Sequence, residues 1–247
     1  MFFTNLKFWS KYYLNIDSMG KGIASKLLFL TILILKLIPN FLPPAYTDFS
    51  ALQDWFTTIL YAEEVTEDMM VITLTRENYL FLLISSAVLY TCYMLSVLYS
   101  GLVVRHFRKL KGEKYLSNGR LFGRFIVVCL VIAFLALPLA FFAVYLVLLF
   151  LLSIPFLATI IPCYLSGDEG LFGSIAGMFK RTKGRYLLML RDITGLYVVY
   201  LVVSLVSMLI SLLSDTAYIV VTAAIESWFL LVAARFCAIQ YTMTKKT

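Results

Sequence analysis

The stretch "FIVVCLVIAFLALPLAFFAVYLVLLFLLSIPFLATIIPCYL", residues 125–165, contains no charged residue from end to end. One crossing of a bilayer takes about 20 apolar helical residues at ~1.5 Å each. This run is about twice that length, so it reads as two crossings joined by a tight turn, which length alone places near Phe142 to Val147. The rest of the chain agrees with a lipid solvent. Of its 247 residues 62% are hydrophobic and only 14% charged, and mean hydropathy is +0.90, whereas a soluble domain carries about 25% charged residues.

Working outward, six segments are long and apolar enough to span: roughly 24–43, 78–104, 124–144, 146–165, 190–213 and 217–240. The fold class expected is therefore all-α, a polytopic integral membrane protein of six transmembrane helices forming a single membrane domain over 1–247. Basic residues orient it, because cytoplasmic loops are enriched in Lys and Arg. Lys7, Lys11, Lys21 and Lys26 precede the first span. Arg105, Arg108, Lys109, Lys111, Lys114, Arg120 and Arg124 populate the basic loop 105–124. Lys180, Arg181, Lys183, Arg185 and Arg191 join spans four and five, and Lys245 and Lys246 end the chain. Segment 43–77 instead holds Asp48, Asp54, Glu63, Glu64, Glu67, Asp68 and Glu77 against a lone Arg76. Both termini are expected in the cytoplasm and 43–77 outside. The opening "MFFTNLKFWSKYYLNIDSMGKG" is too long and too aromatic for a secretory signal, so the first span is expected to stay uncleaved.

The net charge of +7 is spread between apolar segments, which points to anionic lipid headgroups and not to nucleic acid. The four cysteines, Cys92, Cys129, Cys163 and Cys237, lie in apolar runs without CxxC pairing and read as buried small hydrophobes. The one histidine, His106, sits in the basic loop. With no second histidine, metal cluster or GxSxG elbow, the parts of nucleophilic and metal-assisted catalysis are missing, and no cofactor is expected.

Amphipathic segments flank the spans. Phe2, Leu6, Trp9, Tyr13 and Ile16 recur at helical spacing within 1–23, which predicts an in-plane helix at the inner headgroups. Phe49, Leu52, Phe56, Ile59 and Leu60 form a second stripe, expected to cap the bundle on the outside or to meet a partner. In the cytoplasmic segment 166–189 the spacing predicts one helix from about 169 to 183, N-capped by Asp168 and closed by Gly184. Leu171, Phe172, Ile175, Met178, Phe179 and Thr182 share one side of it. Gly170, Gly173, Gly177, Lys180, Arg181 and Gly184 share the other, and with Lys183 they suit a docking or lipid-contact face that another backbone can approach closely.

That segment, "GLFGSIAGMFKRTKGRYLLML" after a helical hairpin and a short acidic turn, resembles the integral membrane domain found ahead of some bacterial glycerophosphodiester phosphodiesterases, and its stand-alone relatives. Ser174, Phe179, Thr182, Lys183 and Gly184 occupy comparable places, and "GEKYLSNGRLFGRFIVV" before span three echoes the pattern, so the resemblance covers roughly 100–215. It implies a membrane scaffold in a bacterial cytoplasmic membrane. The phosphodiesterase domain, with its histidines and metal-binding carboxylates, is not in this sequence, and no hydrolase activity carries over.

Inside the spans two features invite function. Lys36 and Glu226 lie about ten and nine residues into the first and last spans, where an ionisable group needs a partner or water. Either they pair, or Lys36 snorkels outward past Pro39 while Glu226 finds a hydroxyl. Tyr197, Tyr200, Ser204, Ser207, Ser211 and Ser214 share one face of span five, with a fainter echo in Ser86, Tyr90, Tyr93 and Ser100 of span two. Such stripes serve close helix packing or line a polar path. The first functional expectation is a non-enzymatic scaffold or accessory subunit contacting membrane lipids and another membrane protein. The alternatives are a permease subunit for a peptide or lipid working with a separate cytoplasmic ATPase, and an immunity protein against a peptide toxin.

Overall fold

The structure is a computed structural model that describes residues 9–16, 23–61 and 74–244, apart from the side chains of 9, 10, 12, 23, 136–152 and 244. Phe2, Leu6, Lys7, Lys21, Glu63, Glu64, Glu67, Asp68, Lys245 and Lys246 lie outside the described residues. Among the described residues the regular elements are helices: α1 (Ile23–Leu37), α2 (Ser50–Tyr61), α3 (Arg76–Leu110), α4 (Asn118–Ser166), α5 (Leu171–Ala176), α6 (Met178–Thr182), α7 (Tyr186–Ser211) and α8 (Asp215–Thr244). Five helical segments are long and apolar enough to cross a membrane: Ala24–Phe41, Arg76–Leu110, Asn118–Leu135, Tyr186–Ser211 and Asp215–Met243, with Ser153–Ser166 a shorter apolar piece. Their outer sides stay apolar too, with Leu83, Leu130, Phe134, Leu205 and Leu209 all exposed. Apolar surface that continuous is incompatible with water and fits lipid.

α4 is helical at each of its 49 positions, and as one straight rod it would reach about 73 Å. Yet its ends meet. Arg124 Nη1 donates to the Tyr164 carbonyl at 2.5 Å, its guanidinium lies 4.8 Å from the centre of the Tyr164 ring, and Leu121 and Val128 pack with Tyr164 and Leu165. The chain therefore reverses inside α4, with the facing residues centred about residue 144. The turn arises without a loop of its own, so the helical backbone hides it.

α8 is the central post, packed against α1, α3, α4 and α7. Small residues make this possible: Ala223, Ser227, Ala234 and Ala238 are all buried and let neighbouring backbones come close. Ile32, Cys92, Tyr99, Val103, Cys163 and Leu231 fill one side of the core, and Tyr13, Ile193, Leu196, Val232 and Phe236 another. At the start of α3, Thr75 and Asn78 form a reciprocal cap. The Asn78 amide also donates to the Tyr46 and Asp48 carbonyls at 3.3 and 2.8 Å, tying the preceding segment down.

Within the N-terminal stripe the described residues form a wide π-type turn, Trp9–Leu14, and Tyr13 is buried with its ring centre 5.0 Å from that of Phe236. Two other expectations change. α2 forms as predicted but buries none of its residues, so among the described residues it does not cap the bundle; Phe49, just before it, reaches Phe81 at 5.8 Å. The helix expected over 169–183 is two short helices divided at Gly177, and Gly170 stands at the N-cap position of α5 in place of Asp168. Gly184 does adopt the left-handed φ of +76° that ends α6.

Candidate intramembrane ligand site

Lys36 falls on the last turn of α1, just before the 3₁₀ turn Ile38–Phe41 led by Pro39, and Glu226 lies in the middle of α8. Their side chains form an ion pair. Lys36 is largely enclosed while Glu226 keeps 39% of its side-chain surface, so the carboxylate is the accessible partner. Loss of either charge leaves the other uncompensated at depth, which is costly; retention of both is close to neutral.

Two cavities meet at this pair. The first, about 310 Å³, lies toward Pro39, Asn40 and Tyr218 and is lined also by Ser85 and Thr222. The hydroxyls of Ser85 and Thr222 are buried without a hydrogen-bond partner among the described residues. A buried hydroxyl left unpaired costs free energy, so these two are set for a polar guest. The second cavity, about 540 Å³, continues on the other side toward Phe236 and Cys237. Leu89 and Tyr93 of α3 form one wall, Tyr197 and Tyr200 of α7 the other, and Phe229 the floor. Leu89, Tyr93 and Tyr197 are each about half exposed, so this cavity opens sideways to the lipid phase. Phe229 holds the two tyrosines through ring contacts at 5.8 and 4.4 Å.

The polar stripe of span five divides here. Tyr197 and Tyr200 join the cavity, whereas Ser207 and Ser211 bond within their own helix. Ser207 and Ser211 return their hydroxyls to the Ser204 and Met208 carbonyls of their own helix, both at 2.7 Å. A serine hydroxyl always has that local acceptor within reach, and it wins where no neighbouring donor or acceptor is presented. On α3, Tyr90 does cross, donating to the Cys129 carbonyl at 2.7 Å.

Segment 166–189 forms a separate site. Arg181 pairs with Glu169 at 3.0 Å and also donates to the Ser174 carbonyl. A Cβ at Gly177 would stand 2.5 Å from Arg181 Nη1 and 3.2 Å from the Gly173 carbonyl, while one at Gly173 would meet only the Glu169 side chain, and one at Gly170 nothing. At Gly177 the space is taken by the chain's own Arg181 guanidinium, while Gly170 borders open space. Ser174 and Thr182 are the buried side, Phe172, Ile175 and Phe179 the exposed one, with Lys180 and Lys183 free of the core.

One cluster escapes sequence reading. Asp168 accepts from Arg108 and Tyr241, with Ser166 Oγ 3.2 Å from the same oxygen and 3.0 Å from the Tyr241 hydroxyl. Arg108 also reaches the Ser166 carbonyl at 3.0 Å. This knot ties α3, the end of α4 and α8 together. A smaller one joins Gln240 to the Tyr13 hydroxyl at 3.0 Å and to Asp192 at 3.3 Å. Burial, with the Asp192 carboxylate close by, pushes the Tyr13 phenol well above its ordinary range and keeps it neutral. Among the described residues no three His, Cys, Asp or Glu side chains come together as metal ligands. Comparison with protein-family models, curated proteins and solved structures finds no match, so the resemblance to the phosphodiesterase-linked membrane domain rests on the quoted residues alone.

Proposed function

We propose that the chain is a six-span, non-catalytic protein of a bacterial cytoplasmic membrane, with both termini inside, that admits an amphiphilic ligand from the bilayer at the Lys36–Glu226 site. It acts as the membrane-embedded binding component of a transport system whose energy comes from a separate cytoplasmic ATPase. The observation that carries this is the ion pair shared by a polar cavity and a laterally open apolar one. Ionisable groups at membrane depth mark ligand or ion pathways more often than they mark mere packing. The sixth span is taken from the apolar return limb of α4, which contains Ser153–Ser166.

The test is transbilayer movement of a fluorescent amphiphile in proteoliposomes, with the energising partner copurified. Movement that requires the protein and disappears in the Lys36→Met/Glu226→Gln double variant supports the reading. Movement unaffected by that variant overturns it.

A scaffold role is the second reading, favoured by one feature. Phe172 and Phe179, 84% and 61% exposed, share the short stretch 172–183 with the exposed Lys180 and Lys183, a greasy and basic combination suited to the inner headgroups or to a docked subunit. Stable copurification of a membrane protein without any amphiphile movement favours it over transport.

A further inference from the structure

Resting on the ligand-binding reading above, we propose that the site takes a phospholipid whose head carries a primary ammonium beside its phosphodiester, an aminophosphate lipid, and not a choline lipid, a simple anionic lipid or a peptide. The two cavities differ in chemistry and share a boundary. The smaller offers a cation, Lys36, and the unpartnered hydroxyls of Ser85 and Thr222. A phosphodiester has the anionic oxygens to accept from all three. Glu226, the more exposed member of the pair, then needs a replacement cation as Lys36 turns to phosphate. A primary ammonium on the same head supplies it, and it donates N–H groups that a carboxylate accepts. The guest is thus an ion pair that exchanges partners with the protein's own, and no charge is left unmatched at depth.

A quaternary ammonium has no N–H to donate, so it satisfies Glu226 less well. A head with phosphate alone leaves Glu226 facing a second negative charge. The apolar cavity beyond the pair decides between lipid and peptide. Beyond the ion pair and the single hydroxyls of Tyr93, Tyr197 and Tyr200, its lining is hydrocarbon and ring faces such as Leu89, Leu196 and Phe229, too few polar groups for a run of backbone amides. Peptide amides buried there would lack partners, whereas an acyl chain has none to satisfy. The order of the cavities along the bundle also suits a lipid. The polar one lies toward Asn40 and Tyr218, beside the end of α1 that leads into the segment after Phe41 and the start of α8, and the apolar one runs deeper toward Phe236. A lipid of the outer leaflet has that same polarity, with its head toward the surface and chains toward the midplane.

The test is native mass spectrometry of the full chain, purified in mild detergent and equilibrated with equal amounts of dioleoyl phosphatidylethanolamine, its mono- and dimethyl derivatives, phosphatidylcholine and phosphatidylglycerol. The wild-type protein should retain phosphatidylethanolamine at least ten-fold over phosphatidylcholine and phosphatidylglycerol, with retention falling stepwise on N-methylation. Glu226→Gln should abolish the preference. Because Glu226→Gln also removes a structural ion pair, Ser85→Ala/Thr222→Val, which leaves both charges in place, serves as the second variant and should weaken retention of every phospholipid about equally. Equal retention of phosphatidylethanolamine and phosphatidylcholine overturns the aminophosphate assignment while leaving an amphiphile site standing. Retention of none of these lipids, with protein-dependent movement of a peptide in proteoliposomes, overturns the lipid class. Retention of none, with no movement of any amphiphile, overturns the ligand-binding reading itself.

Discussion

Lys36 near the end of α1 is ion-paired with Glu226 in the middle of α8, across 190 positions of sequence. The contact links the first long helix to the central post of the bundle, so its loss should register in stability as well as in binding. Lys36→Met alone is expected to cost about 2 kcal/mol, less than the roughly 3–5 of a fully buried pair because Glu226 retains contact with its surroundings. Glu226→Gln alone should cost a similar amount. The double variant should recover most of the loss, since neither charge is then stranded. Thermal unfolding in detergent checks this; simple additivity of the two losses would show that the charges do not stabilise each other.

Asp168 holds together three elements that are distant in sequence, α3 through Arg108, the end of α4 through Ser166 and α8 through Tyr241. Asp168→Asn should destabilise by about 3 kcal/mol because it leaves the largely buried Arg108 guanidinium without its counter-charge. Tyr241→Phe removes one hydrogen bond to a charged acceptor and should cost about 1.5 kcal/mol. Measured by chemical unfolding in micelles, the ranking Asp168→Asn above Tyr241→Phe is the prediction, and the reverse order contradicts it.

Gly177 leaves space that the Arg181 guanidinium occupies. Gly177→Leu should therefore expel Arg181 from Glu169 and from the Ser174 carbonyl, whereas Gly170→Ala should change nothing. Limited trypsin digestion reads the difference, because cleavage after Arg181 should quicken several-fold in Gly177→Leu and stay at the wild-type rate in Gly170→Ala. Equal rates in all three proteins would mean that Arg181 is not held where the structure places it.

The reversal inside α4 brings Arg124 to Tyr164. On a background with Cys92, Cys129, Cys163 and Cys237 replaced by Ala, Arg124→Cys and Tyr164→Cys should be joined within the chain by a short bis-maleimide. A straight helix would hold them about 60 Å apart, beyond any such reagent. Absence of the intramolecular product in properly inserted protein would contradict the hairpin.

Length and charge make much of this architecture readable in advance. α1, α3, α7 and α8 begin and end within a few residues of the apolar runs that predict them, because lipid requires about 20 residues of helix per crossing. The Lys36–Glu226 contact is legible as one of two outcomes, since a charge at that depth has few choices. Other contacts are not legible. Asp168 has the local signature of a helix cap, but its donors come from 60 and 73 positions away, a distance that no local pattern encodes. The glycines of 170–177 advertise a close approach, and spacing alone does not say whether the approaching group is another backbone or Arg181 four residues on. The cavities are tertiary features, formed where α3 and α7 stand apart over α8, and beyond the ion pair only their tyrosines leave a trace in the sequence.

The central claim is that an amphiphile enters beside the ion pair from the lipid phase, and photocrosslinking tests it most directly. Proteoliposomes containing a phosphatidylethanolamine with a diazirine in its acyl chain would be irradiated and the adducts mapped by mass spectrometry. The account predicts adducts concentrated at Tyr93, Tyr197, Tyr200 and Phe229, and their loss in Lys36→Met/Glu226→Gln. Labelling spread evenly over exposed positions such as Leu130, Phe134 and Leu209, and unchanged in that variant, would contradict it.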